Sequence, residues 1–165
     1  MLVCPVRNCR APLQRKDRAM ACRNGHTFDV ARSGYVNLLQ PQDKKSKHPG
    51  DSREVIEARE RLHRRGVTQV LLEGIGELLK PSTADRILDA GCGGGFYLGT
   101  LAAQAGFAAC GVDISIPGVN AAARRYPECE WIAANADRMI PYADESFSAV
   151  LSITGRMNAP EFRRI

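Results

Sequence analysis

The spacing of apolar residues changes twice along the chain. Over residues 1–39 they stand singly or in short groups among polar and turn-forming residues, which predicts strands near 19–22 and 27–30. Residues 40–50, Gln-Pro-Gln-Asp-Lys-Lys-Ser-Lys-His-Pro-Gly, break any period and predict a linker or exposed loop. From Asp51 the pattern turns helical. Asp51 can cap the free N–H groups while Glu54 reaches back, Glu57–Arg61 and Glu60–Arg64 are spaced as i,i+4 pairs, and Gly66 is a stop. A second apolar helix is predicted over 67–79, ending before Pro81. Beyond Pro81 short apolar runs at 86–90, 107–112, 130–133 and 147–153 alternate with helical stretches, one reaching Ala105 and one near 119–125. That alternation predicts a parallel α/β sheet covered on both faces.

Composition sharpens the picture only where it is uneven. Hydrophobic residues make up 44% and charged residues 25% of 165, a globular balance in a chain long enough to bury a core. No apolar run approaches the roughly 18 residues that span a bilayer. The start, Met1-Leu-Val-Cys-Pro5, has neither a basic nor an apolar leader region, so the expected location is cytoplasmic, without a membrane partner. The net charge of +5 is concentrated: residues 1–50 hold 10 Lys/Arg against 3 Asp/Glu, and residues 81–165 hold 7 against 9. A basic first third suits either a polyanion partner or a solvated surface.

The cysteines are clustered too. Cys4, Cys9, Cys22 and His26 form two close pairs, each able to close a tight chelate, and three thiolates with one imidazole suit tetrahedral zinc. With all four positions filled by protein, the metal is expected to be structural. Asn24-Gly25 favours a turn within the second pair. The alternative is three free thiols and a surface histidine. Replacing Cys22 by serine is expected to unfold residues 1–39 and leave the later elements intact.

Asp89-x-Gly91-x-Gly93-x-Gly95 follows a predicted strand and opens a helix, so backbone N–H groups can approach a ligand closely. A nicotinamide fingerprint would need glycine where Phe96 stands. An acid two residues before the first glycine instead suits an amino group, such as that of S-adenosylmethionine. Asp113, 22 residues after Gly91, can accept from ribose hydroxyls, and Asn135-Ala136-Asp137 lies where an adenine would rest.

These residues together resemble the bacterial 23S ribosomal RNA guanine-N1 methyltransferases that carry an N-terminal zinc-binding domain. The most specific stretch runs from the Cys/Cys/Cys/His set through Asn24-Gly-His-Thr-Phe-Asp-Val-Ala-Arg-Ser-Gly-Tyr-Val-Asn-Leu38. Gly50-Asp51, Asp89-Ala-Gly-Cys-Gly-Gly-Gly-Phe-Tyr97, Arg124-Arg-Tyr-Pro127 and Pro141-Tyr-Ala-Asp-Glu-Ser-Phe147 follow in the same order. The resemblance implies a small zinc-binding β domain (1–39), a linker with two helices (40–80), and part of a doubly wound Rossmann-like methyltransferase domain (81–165) with four of its seven strands. It implies zinc on Cys4, Cys9, Cys22 and His26. Asp89, Gly91, Gly93, Gly95 and Tyr97 would line the methionine end of S-adenosylmethionine, Asp113 the ribose, and Asn135 and Ala136 the adenine. A homodimer clasping a 23S rRNA hairpin is implied as well. Phe28 and Tyr35 are candidates for stacking on RNA, although core positions are the commoner role.

Two departures accompany the likeness. Where the family usually has an aromatic, a small residue and a proline, Thr154-Gly-Arg-Met-Asn158 stands, with Arg156 at the proline's place. The family's sheet would also continue beyond Ile165, which leaves 147–153 expected at an open sheet edge prone to self-association, without useful methyl transfer. A zinc and RNA-binding protein without catalysis is the alternative reading. Asp137 is an outside candidate for the base that takes the guanine N1 proton, and His48 and His63 are expected to be exposed.

Overall fold

A short polar module comes first. In the computed structural model, β1 (Leu13–Lys16), β2 (Ala19–Cys22) and β3 (Thr27–Asp29) form an antiparallel sheet in that order. Residues 1–43 and 49–165 are described; the expected exposure of His48 and the centre of the 40–50 loop lie outside the described residues. The strand expected at 27–30 ends one residue early, and β1 was not foreseen because Leu13 is its one apolar residue. Asp17 turns the chain between β1 and β2 at φ 52°.

The second sheet has the order β4-β7-β6-β5-β8, all pairings parallel. Its strands are β4 (Val36–Asn37), β5 (Arg86–Ala90), β6 (Ala108–Asp113), β7 (Glu130–Ala133) and β8 (Ala149–Leu151). The four predicted strands are all present, β8 shorter than its apolar run. β8 pairs with β5 as expected, and among the described residues no strand lies along its other side. β4 is the surprise, since it comes from the first 39 residues yet pairs with β7, Val36 opposite Ile132.

Helices α1 (Arg53–Arg64), α2 (Gln69–Leu79), α3 (Phe96–Ala105) and α4 (Ile116–Arg125) stand where the periodicity put them, and a short α5 (Ala159–Arg164) was not foreseen. The cap of α1 is Ser52 rather than Asp51: its hydroxyl accepts from the Val55 N–H at 3.5 Å and donates to Glu54 at 2.6 Å. Asp51 is drawn elsewhere, its carbonyl accepting from Ser115 Oγ at 2.6 Å and its carboxylate pairing with Arg59 at 2.8 Å. Of the two helical pairs, Glu60–Arg64 closes at 3.1 Å; among the described residues Glu57–Arg61 does not.

Alternation along each parallel strand sends neighbouring side chains to opposite faces. Ile87, Ala109, Trp131 and Ala133 pack against Leu72, Leu98, Leu101 and Val119 of α2, α3 and α4. On the other face Leu88, Val112 and Ile132 join Leu2, Leu13, Met20, Phe28 and Leu38 in one continuous cluster. The N-terminal module therefore sits on the sheet and shares its core. Backbone bonds fasten it: the Val3 N–H donates to the Pro141 carbonyl and the Ala143 N–H to that of Met1, both at 2.9 Å. Phe28 is buried here, and Tyr35 is half-buried against the opposite cluster. No described helix is long and apolar enough to cross a membrane.

Candidate metal centre and cofactor cleft

Two tight turns bring the four predicted metal ligands together. The Cys9 N–H donates to the Val6 carbonyl at 2.9 Å and the Gly25 N–H to that of Cys22 at 3.1 Å, with Gly25 at φ 82° as the Asn-Gly pair predicted. The ligand atoms of Cys4, Cys9, Cys22 and His26 lie within 4.8 Å of one another. Cys4 Sγ and Cys22 Sγ are each 3.4 Å from His26 Nδ1, and Cys9 Sγ is 3.9 Å from Cys22 Sγ. A tetrahedral ion with bonds of about 2.3 Å to sulfur needs S···S edges of roughly 3.8 Å, so the set fits zinc. Burial pushes the Cys4 thiol up to about 12, whereas the Ala11 N–H brings Cys9 down to about 6. The Asn24 amide donates to Cys9 Sγ at 3.2 Å, an outer partner of the kind that orients a ligand.

The predicted cofactor residues gather at the carboxyl ends of β5, β6 and β7, around two adjoining spaces. A cavity of about 260 Å³ is lined by Asp89, Gly91, Gly93 and Tyr97 on the sheet side and by α1 above. A wider cleft of about 680 Å³ is lined by Asp113, Asn135, Ala136 and Asp137. Gly91, Arg59 and Thr154 border both. A side chain at Gly91, which has φ 91°, would come within 2.9 Å of the Gly155 backbone. Gly95 borders neither space, because a Cβ there would lie 2.5 Å from the Trp131 ring; it lets α3 approach the sheet.

Asp89 is 2% exposed, and among the described residues its Oδ1 has no hydrogen-bond partner. Burial, reinforced by the Asp113 charge, pushes its carboxyl up to about 7. A buried unsatisfied acceptor beside an open cavity fits a cationic amino group. Asp113 is half-buried and fastens the loop, Oδ2 accepting from the Gly93 N–H at 2.8 Å and Oδ1 from Ser115 at 2.7 Å. Burial raises its pKa as well, against those two bonds. Each oxygen keeps a second lone pair for a ribose hydroxyl.

A pH dependence follows from Asp89. An ammonium ligand binds the carboxylate form, so a proton must leave on binding wherever the free group holds one. Affinity for S-adenosylmethionine is expected to rise as pH increases through about 7 and to be about tenfold weaker at pH 6 than on the plateau. Calorimetric titrations in buffers of different ionisation heat would show the proton release. A flat affinity between pH 5.5 and 7.5 would remove Asp89 from contact with the amino group.

Asp43 and Arg138 line the cleft without any local signal in the sequence. Asn158 Nδ2 donates to the carbonyls of Ala136 at 2.8 Å and Asp137 at 3.1 Å, tying the loop after β8 to the loop after β7. Arg156 is 82% exposed and lies 3.7 Å from Asp137 at the rim. Asp43 pairs with Arg138 at 2.5 Å, and Arg138 also donates to the Pro5 carbonyl at 3.0 Å, beside the metal ligand Cys4. His63 is not exposed as expected. Its ring stacks on Phe96 at 3.9 Å and its Nδ1 lies 2.7 Å from the Thr68 hydroxyl, because α1 lies over the start of α3.

A family model described as RlmA, N-terminal matches residues 2–47, and one described as Methyltransferase domain matches residues 87–165. A solved structure from Methanococcus maripaludis, provisionally described as an S-adenosyl-L-methionine-dependent methyltransferase, superposes with a TM-score of 0.59 over 74% of this chain and 63% of its own, at 17% identity. Fold and matched models together define a domain of the α/β methyltransferase fold preceded by a module of the RlmA N-terminal type. The 23S rRNA (guanine(748)-N(1))-methyltransferase of Streptomyces fradiae is 34% identical over 99% of this chain, and YxjB of Bacillus subtilis (strain 168), provisionally named for guanine-N1 methylation of 23S rRNA, is 35% identical over 100% of it. Along almost its whole length the chain is similar to these 23S rRNA guanine-N1 methyltransferases. It spans 59% of the length of the first relative and 60% of that of the second.

Proposed function

We propose that the protein methylates N1 of a guanine in a 23S rRNA hairpin, using S-adenosylmethionine. The observation that carries this reading is the buried, unpartnered Asp89 carboxylate at the base of a glycine-lined cavity. Asp89, Gly91, Gly93 and Tyr97 would hold the methionine end of the cofactor, Asp113 the ribose, and Asn135 and Ala136 the adenine. Gly95 would serve the site by bringing the α3 N-terminus close. Bound there, the cofactor supplies a methyl group already activated on a sulfonium. The chain's own contribution is then alignment and exclusion of water. Ile56 of α1 lies against the glycine loop, where a Cβ on Gly94 would be 3.6 Å from its side chain, and so roofs the cavity. Guanine N1 carries a proton that must leave as the bond forms.

In this reading Cys4, Cys9, Cys22 and His26 hold a structural zinc, and residues 1–39 serve as the RNA-recognition domain. Residues 40–80 would connect it to the cofactor domain. The excess of Lys and Arg in residues 1–50 supports an RNA partner through contacts to phosphates. A homodimer would clasp the hairpin between two zinc ribbons, and an rRNA substrate puts the work in the cytoplasm.

The test is methyl transfer to a 23S rRNA fragment by the full-length protein. A methyl at N1 blocks Watson–Crick pairing, so reverse transcription should stop at one guanine and only when S-adenosylmethionine was present. RNA binding with no methyl incorporated would favour the non-catalytic zinc and RNA-binding reading, for which Arg156 in the proline's place is the motivating observation. In the same assay Asp113→Ala should weaken S-adenosylmethionine binding by more than tenfold. It removes up to two charge-assisted bonds of roughly 1.5–3 kcal/mol each and also unfastens the glycine loop. Unchanged affinity would sink the assignment of Asp113 to the ribose.

A further inference from the structure

An amino acid end carries two charges, and Asp89 answers only one of them. Resting on the cofactor reading above, we infer that Arg59 of α1, together with the open first turn of α3, binds the carboxylate of the cofactor's methionine end and selects for ligands that carry it. Arg59 borders both the cavity and the cleft. Its Nη1 lies 3.9 Å from where a Cβ on Gly93 would stand, so the guanidinium hangs directly over the glycine loop. The Asp51 carboxylate holds that nitrogen at 2.8 Å, which orients the planar group while leaving other N–H donors of its fork free. Asp51 is itself fixed, its carbonyl accepting from Ser115 Oγ at 2.6 Å. Gly50 lies so close to Ser115 that a side chain there would come within 2.8 Å of its backbone nitrogen. The strap that carries α1 over the loop is thus pinned to the N-terminus of α4.

The opposite wall of the cavity is also prepared for an anion. α3 begins at Gly95, which provides no side-chain cap, so the first N–H groups of a ten-residue helix remain open beside Gly94, Phe96 and Tyr97. An anion between Arg59 and this helix start would sit in the same cavity as the unpartnered Asp89 Oδ1. Amino group to Asp89 and carboxylate to Arg59 gives each charge of the zwitterion an opposite partner. Arg125 borders the cavity too, but it is engaged by Glu60 at 2.9 Å and lies over the Phe96 ring.

The experiment is a comparison of two ligands on the full-length protein and on Arg59→Gln. Calorimetry would measure the binding of S-adenosylmethionine and of decarboxylated S-adenosylmethionine, which keeps the amine and sulfonium but lacks the carboxylate. The parent should prefer the first by tenfold or more. Arg59→Gln should lose tenfold or more for S-adenosylmethionine and less than about twofold for the decarboxylated ligand. An equal loss for both ligands would mean that Arg59 only supports the fold, and an unchanged preference would place the carboxylate elsewhere; either overturns the inference. If the parent binds neither ligand, the cofactor reading itself falls, and the inference with it.

Discussion

Loss of the zinc, by chelation or by Cys22→Ser, is expected to unfold far more than residues 1–39. A structural zinc contributes ~10–16 kcal/mol of folding free energy in small modules, comparable to or larger than the ~5–15 kcal/mol net stability of a whole domain. Sequence alone suggested that the later strands would survive, because the metal ligands all lie before residue 27. The packing says otherwise. Leu2, Leu13, Met20, Phe28 and Leu38 bury one face of the parallel sheet, and β4 covers the edge of β7. An unfolded module would bare Leu88, Val112 and Ile132 to water together with that edge. Hydrogen exchange before and after chelation should therefore show lost protection in β6 and β7 as well as in β1–β3. Full protection of β5, β6 and β7 in the zinc-free protein would show that the two parts fold independently.

Arg138→Ala is the second large effect. The Asp43 side chain is 2% exposed and has Arg138 as its charge partner, while the Arg138 side chain is 35% exposed. Removing the guanidinium leaves a buried carboxylate unpaired, which costs about 3–5 kcal/mol; the partial exposure of Arg138 points to the lower end. Urea denaturation should show the midpoint falling with little change in slope. The double variant Asp43→Ala/Arg138→Ala should recover part of the loss, since the stranded charge is gone. A double variant less stable than Arg138→Ala alone would mean that the Asp43 carboxylate works chiefly through the Gln40 N–H, which donates to its Oδ2 at 3.3 Å.

What the sequence made legible was local. Residues 86–90 and 130–133 are short apolar runs flanked by turn residues, and they are strands with those bounds. The glycine loop and the two metal-ligand pairs are each contiguous enough to declare their own turns. Apart from β1, which pairs with the nearby β2, the misses depend on partners far along the chain. β4 is two residues long and is a strand only because Ile132 and Ala133 lie beside it. Asp51 and Ser52 are both good caps, and Ser115, 64 positions later, decides between them by engaging Asp51. His63 looked solvent-facing in a run of charges until α3 supplied Phe96 beneath it. α5 is a six-residue helix with Pro160 in its first turn; it is held by Arg164, which donates to the carbonyls of Tyr142 and Ile140 at 2.8 Å. Of the cleft, the acids at the strand ends were readable, whereas Arg59 reaches it from outside the sheet.

The placement of β4 beside β7 also sets an order of events during synthesis. Val36 and Asn37 leave the ribosome long before Ile132 and Ala133, their partners. At roughly 5–20 residues per second, the intervening stretch of about ninety-five residues takes on the order of 5–20 s to make. Through that interval the zinc ribbon must stand without the sheet that later supports it, its apolar underside uncovered. Metal capture by the nascent chain is then the event that holds the module in shape until its platform arrives. A cell short of zinc would lose this protein first as an aggregating newborn chain, with the finished molecules outlasting it.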